Sequence, residues 1–384
     1  MTFEFSTAAR IVFGAGRVRD VAPAASQLGS RVLIVTGKSP ERSRHLEREI
    51  RSEGLKCSTL RTEGEPSVAS IRAGVAYASR EQCNVVIGFG GGSAIDSGKA
   101  IAALLANDHD PLEYLEIVGR GRQLGRPSVP FIAVPTTAGT GSEVTRNAVI
   151  ASPREHVKAS LRSPFLLARL AVVDPELTME LPSEITAHSG LDALTQLIEP
   201  YVSVRANALT DGFCLEGLPL VARSLVRAYQ DGEDRNARCD MSLAALLSGL
   251  ALANAGLGAV HGFASAIGGA SAAPHGAICA ALLPHATAVN IRALRALASD
   301  GEPLARYRSV AQILTKDEQA GPEALCDWLT ETCQMLGAPK LGTYGVSETQ
   351  VGPLIQSAKR ASSMKSNPIQ LTDDELSDIL TAAI

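Results

Sequence analysis

Residues 84–101 read Asn84-Val85-Val86-Ile87-Gly88-Phe89-Gly90-Gly91-Gly92-Ser93-Ala94-Ile95-Asp96-Ser97-Gly98-Lys99-Ala100-Ile101. The β-branched run up to Phe89 predicts a strand buried on both faces. The stretch from Ala94 predicts a helix. Glycines between a strand and a helix let the backbone approach a pyrophosphate, whose charge the free N–H groups of the helix start can bind. The glycines lack the G-x-G-x-x-G spacing, and an ordinary tight turn would be written the same way.

On either side, Arg31-Val32-Leu33-Ile34-Val35-Thr36, Phe131-Ile132-Ala133-Val134-Pro135 and Leu170-Ala171-Val172-Val173-Asp174 carry the same signature, so a parallel α/β sheet is expected over residues 1–182. After Ser183 the β-branched runs stop, and Ala- and Leu-rich segments with helical spacing predict an all-helical domain over 183–384. A second polar loop, Pro135-Thr136-Thr137-Ala138-Gly139-Thr140-Gly141-Ser142-Glu143, follows another expected strand end. In open α/β sheets ligands lie beyond the carboxyl ends of strands, although a solvated Thr/Gly loop would also read this way.

With 384 residues, 45% hydrophobic and 20% charged, the chain can bury one large core or two ordinary ones. A net charge of -4 without a long basic run argues against nucleic acid or an anionic membrane as partner. The N-terminus lacks a signal-peptide pattern and no unbroken apolar stretch reads as a span, so a cytoplasmic protein is expected. Seven cysteines, none spaced as C-x-x-C, suggest neither disulfides nor a zinc knuckle and are read as packing residues.

In Ile185 to Gln196, helical spacing places His188, Asp192 and Gln196 on one stripe. His261 and His275 each precede a glycine where a helix is expected to begin. One Asp with two His would suit Fe(II) or Zn(II), though spacing does not bring the three together and each alone is more often a surface or capping residue than a ligand. His45, His109, His156 and His285 have no comparable context.

In order along the chain, Arg10-Ile11-Val12-Phe13-Gly14-Ala15-Gly16, Gly90 to Asp96, Pro135 to Thr140, Val173-Asp174-Pro175, Gly190-Leu191-Asp192-Ala193-Leu194, the two His-Gly pairs and Ser363-Met364-Lys365-Ser366-Asn367-Pro368 together resemble the iron-containing (group III) alcohol dehydrogenase family. The resemblance implies a Rossmann-like nucleotide-binding domain followed by a helical one, NADP or NAD as cofactor, and one divalent metal, Fe(II) or Zn(II). By motif position it implies cofactor contacts from Gly91, Gly92, Ser93, Asp96, Thr136, Thr137 and Thr140, with Lys158 near the cofactor and active site. Asp192, His261 and His275 match metal ligands. It further implies hydride transfer between nicotinamide and a small alcohol or aldehyde; a homodimer is expected.

Two positions depart from the family pattern. Gln196 stands where many members carry a third histidine ligand, and an amide oxygen is a weaker donor that would be a loose ligand or lie just outside the shell. Ser265 replaces an active-site histidine, which leaves proton exchange to the cofactor ribose and water or to a group on the substrate itself. These losses keep open a maleylacetate reductase-type enzyme that needs no metal. A dehydroquinate synthase-like cyclase would carry Glu at position 192. Where NAD-preferring relatives often have Asp, this chain has Gly37, and the adjacent Lys38 and Ser39 can bind a 2′-phosphate, which favours NADP(H) over NAD(H).

Overall fold

The strands, in chain order, are β1 (Ile11–Phe13), β2 (Arg31–Thr36), β3 (Lys56–Arg61), β4 (Val85–Gly90), β5 (Phe131–Pro135), β6 (Asn147–Ser152), β7 (Val157–Arg162) and β8 (Leu170–Val173). They come from a computed structural model that describes residues 2–116, 118–152, 157–297 and 301–384. His156 lies outside the described residues. The chain divides into an α/β unit, Phe5–Met179, and a helical unit beginning at Glu180, a few residues before the border expected at 182.

Six strands form one parallel sheet in the order β1-β8-β5-β4-β2-β3, while β6 and β7 pair separately as an antiparallel hairpin. The four strands expected from sequence form the middle of the sheet. The missed ones are its edges, because β1 has three residues and β3 is polar and half-buried. Strand β4 starts at Val85 rather than Asn84, whose side-chain oxygen accepts the N–H groups of Ser30 and Arg31 at 3.1 and 2.9 Å and ties the two strand starts together.

Alternate residues Val32 and Ile34, Val85, Ile87 and Phe89, Ile132 and Val134, and Val172 face one core with Val21, Leu46 and Ile50. That is the period of two of a pleated strand. On the other face the helix Gly92–Leu105 lies against β4, and glycines permit it: a Cβ on Gly88 would sit 3.0 Å from the Ile95 Cα, and one on Gly98 would sit 2.8 Å from the Phe131 ring. The sheet is therefore covered on both sides, as its continuous apolar strands require. Asp174 joins two distant motifs by accepting the N–H groups of Gly16, Val18 and Glu176 at 3.1, 2.9 and 3.0 Å.

The helical unit centres on Ser183–Val202, packed against the helices Ala208–Gln230, Arg235–Ala255 and His275–Leu297. By length and hydropathy His275–Leu297 would pass for a membrane span, contrary to the expectation that no segment would. Its most apolar stretch is 78% buried inside the protein, as befits a core helix.

Candidate active site

The strand order reverses between β2 and β4: the chain runs outward from β2 to β3, then returns to β4 on the other side of β2. At such a switch point the loops after neighbouring strands part and leave a crevice. A cavity lies there, lined by Thr36–Ser39, Arg42, Phe89–Gly91 and Thr136–Thr137. Six of the expected cofactor residues, Gly37, Lys38, Ser39, Gly91, Thr136 and Thr137, therefore meet in one place. Arg42 joins them as a second cation beside Lys38; its guanidinium also donates to the Leu177 carbonyl.

The helix Gly92–Leu105 begins at this cavity, so its first N–H groups have no acceptor within the helix. The glycines are needed for packing: a Cβ on Gly91 would lie 3.3 Å from Thr137 Cγ2, and one on Gly92 would lie 2.9 Å from Thr140 Cγ2. Thr140 thus shapes the turn from behind, and Ser93 is on its first turn.

Asp96 and Lys158 are occupied elsewhere. Asp96 is buried, accepts the Val149 N–H at 2.9 Å and the Ser142 hydroxyl, and lies 3.4 Å from the Lys99 ammonium. Lys99, fully buried, also donates to Thr145 Oγ1 and the Asn147 carbonyl at 2.8 Å each. Both belong to a polar core that fastens the hairpin to the helix Gly92–Leu105. In the same core, burial pushes the Glu143 carboxyl up to about 7 against the pull of Lys99. Lys158 on β7 pairs with Glu65 at 2.6 Å.

In the helical unit Asp192 sits mid-helix at 2% exposure, and two helix starts bring imidazoles to it. His275 is the first residue of its helix, and Gly276 follows because the helices cross there: a Cβ at Gly276 would lie 2.3 Å from the His188 carbonyl oxygen. His261 is on the first turn of Ala259–Ala270. That turn is pinned by Asn367, which accepts the Ala259 N–H at 3.1 Å, and by Glu199, which accepts the Val260 N–H at 2.7 Å. A Cβ on Gly258 would fall 2.8 and 2.9 Å from those same side-chain oxygens, so the motif around residue 367 and the glycine before His261 serve one construction.

His261 Nε2 lies 3.3 Å and His275 Nε2 3.7 Å from Asp192 Oδ1. On its far side His261 Nδ1 meets Glu199 Oε2 at 2.7 Å. A carboxylate can only accept, so Nδ1 carries a proton and a neutral His261 would turn a lone pair towards the Asp192 oxygen. Two acceptors facing each other in a dry site require a positive charge between or on them. The surroundings act the same way: burial opposes the charged form of His261, yet Cys279, Asp192 and Glu199 raise it well above the ordinary range, and although burial opposes the charged form of Asp192, His275 and His261 hold it low. The donor set thus fits a divalent cation.

The sulfur of Cys279, one turn after His275, lies 3.9 and 3.8 Å from the Nε2 atoms of His261 and His275. Donor atoms of Asp192, His261, His275 and Cys279 all lie within 4.8 Å of one another. The reading of every cysteine as a packing residue is thereby corrected for Cys279. The missed signal was not cysteine-to-cysteine spacing but a His and a Cys four apart on one helix. Glu199 was missed too, although it is seven residues beyond Asp192 on the same helical face. Gln196 is buried, its carbonyl oxygen accepting from the Ser248 hydroxyl at 2.9 Å. His188 is buried outside the cluster, and burial pushes its imidazole down.

A parallel sheet with a crevice at its switch point, followed by a helical unit with a candidate cation site, is the arrangement expected of a nucleotide-binding metalloenzyme. Residues 8–175 match the model of the iron-containing alcohol dehydrogenase family, and residues 186–384 match that of the Fe-containing alcohol dehydrogenase family, C-terminal. The chain belongs to the iron-containing alcohol dehydrogenase family. It is 33% identical to alcohol dehydrogenase 4 of Saccharomyces cerevisiae, over 89% of this chain and 87% of the relative. It is 30% identical to the NAD-dependent methanol dehydrogenase of Bacillus methanolicus, over 97% of each. Among solved structures, a 1,3-propanediol oxidoreductase superposes with a TM-score of 0.92 at 30% identity, over the whole of both chains.

Proposed function

We propose that this enzyme transfers hydride between NADP(H) or NAD(H) and a small primary alcohol or its aldehyde, with a divalent metal held by Asp192, His261 and His275. The observation that carries this reading is the convergence of one buried carboxylate with two imidazoles, His261 buried and His275 partly exposed, with their donor atoms within 4.8 Å of one another. When bound, the metal supplies Lewis acidity that polarises an aldehyde carbonyl or lowers the pKa of an alcohol. Asp192 contributes the negative charge, and Glu199 fixes the tautomer of His261 so that Nε2 faces the site. Gln196 stands outside this ligand set, its oxygen already accepting from Ser248.

In the α/β unit, the helix start at Gly92 and Ser93 is assigned to the pyrophosphate, and Thr136 and Thr137 to the cofactor beside it. The loop Gly37-Lys38-Ser39, with Arg42, is assigned to the ribose end; two cations and no carboxylate there favour a 2′-phosphate. Lys158 and Asp96 are left as supports of the hairpin. With Ser265 in place of a histidine, the proton of the alcohol is assigned to the cofactor ribose and water. Localisation in the cytoplasm and a homodimer complete the proposal.

Net formation of NADPH or NADH from primary alcohols, followed by absorbance with each cofactor and with zinc, iron or manganese supplied, tests the reading. Steady accumulation of reduced cofactor is expected. No reduced cofactor from any primary alcohol with any of the three metals would overturn it.

A further inference from the structure

We propose that the thiolate of Cys279 is the fourth protein ligand of the metal, filling the position that Gln196 leaves, and that the site is thereby built for zinc. This rests on the metal-dependent reading above.

Donor separations carry the argument. With Zn–N near 2.05 Å and Zn–S near 2.3 Å, tetrahedral angles place a nitrogen and a sulfur about 3.6 Å apart, and a nitrogen and an oxygen about 3.3 Å apart. The sulfur of Cys279 is 3.9 and 3.8 Å from the two Nε2 atoms, and Asp192 Oδ1 is 3.3 and 3.7 Å from the same two. These four separations stand within about 0.4 Å of tetrahedral values, and all four donor atoms lie within 4.8 Å of one another. Helical geometry makes this possible, since His275 and Cys279 are four residues apart on one helix and present both donors to the same side. Gln196 gives its oxygen to Ser248, whereas Cys279 is fully buried among the ligands.

A soft thiolate beside two imidazoles and one carboxylate is a zinc donor set rather than the harder set that suits Fe(II). The thiol proton leaves to solvent as the sulfur–metal bond forms.

X-ray absorption of zinc-loaded protein should show one sulfur at about 2.3 Å beside the nitrogen and oxygen shell. Cobalt-substituted protein should show a sulfur-to-cobalt charge-transfer band that Cys279→Ser abolishes and Cys333→Ser, at another buried thiol, leaves intact. Cys279→Ser should weaken zinc binding by more than the roughly 10- to 100-fold typical of losing a supporting hydrogen bond, and weaken iron binding less. A shell of nitrogen and oxygen alone, or a charge-transfer band unchanged in Cys279→Ser, overturns the assignment of Cys279 while leaving the metal site standing. Apoprotein that takes up neither zinc nor cobalt overturns the site as a whole.

Discussion

Glu199→Gln tests how the metal site is held together. Glu199 is 6% exposed and accepts two hydrogen bonds at 2.7 Å, one from the Val260 N–H and one from His261 Nδ1. Glutamine keeps the shape but offers a single acceptor oxygen, so its amide hydrogens must face one of the two donors. If the oxygen stays with Val260, His261 can avoid a donor–donor clash only by moving its proton to Nε2, which points that proton at Asp192 and removes the metal donor. Partners of this kind typically control 10- to 100-fold in metal affinity, or about 1.4–2.7 kcal/mol. Zinc competition against a chromophoric chelator should show a loss in that range, with turnover restored by excess zinc. Affinity within about twofold of wild type would refute the tautomer argument.

Three further outcomes follow from other parts of the chain. A Cβ at Gly37 meets nothing within 4 Å, so Gly37→Asp should be accommodated and, by repelling a 2′-phosphate, should shift the NADPH-to-NADH ratio of kcat/KM by about fivefold or more; a wild type that already prefers NADH tenfold would contradict this reading of the loop. Gly276→Ala drives a methyl into the His188 carbonyl, so the helices must part at a cost of about 1–3 kcal/mol, read as a lower Tm together with lost zinc. Glu143, with its carboxyl up to about 7 rather than the usual 4.5, favours the fold while protonated, so its contribution is complete below pH 4.5 and is lost as pH rises through 7. Urea unfolding at pH 5 and 8 should therefore show Glu143→Gln gaining up to about 3 kcal/mol on wild type at the higher pH, and an equal difference at both would contradict it.

The central strands and the glycine turn at Gly90–Gly92 were legible because burial on both faces leaves a continuous apolar run that no helix of that length would carry. The edges were not: β3 faces solvent on part of its surface, so its sequence, Lys56 to Arg61, carries polar residues and no strong period. Asp192, His261 and His275 could be named because each stands in a motif whose glycines are dictated by close approach, as at Gly276. Cys279 could not, since sequence gives a cysteine meaning mainly through other cysteines, and its partners arrive from two different helices. Asp96 and Lys158 show what sequence does not reveal, the internal partners of a motif residue. Their motif positions imply cofactor contacts, and within the fold Asp96 also meets Lys99 and the Val149 N–H, and Lys158 pairs with Glu65.

Catalysis turns on the metal, and the most direct measurement is turnover beside metal content in one preparation, before and after chelation. Chelated protein should lose alcohol oxidation in proportion to the metal removed and regain it on adding zinc or iron, while His261→Ala and His275→Ala should hold no metal and show no activity. Full turnover by metal-free wild-type protein would contradict the account and place the enzyme with the maleylacetate reductase-type reductases.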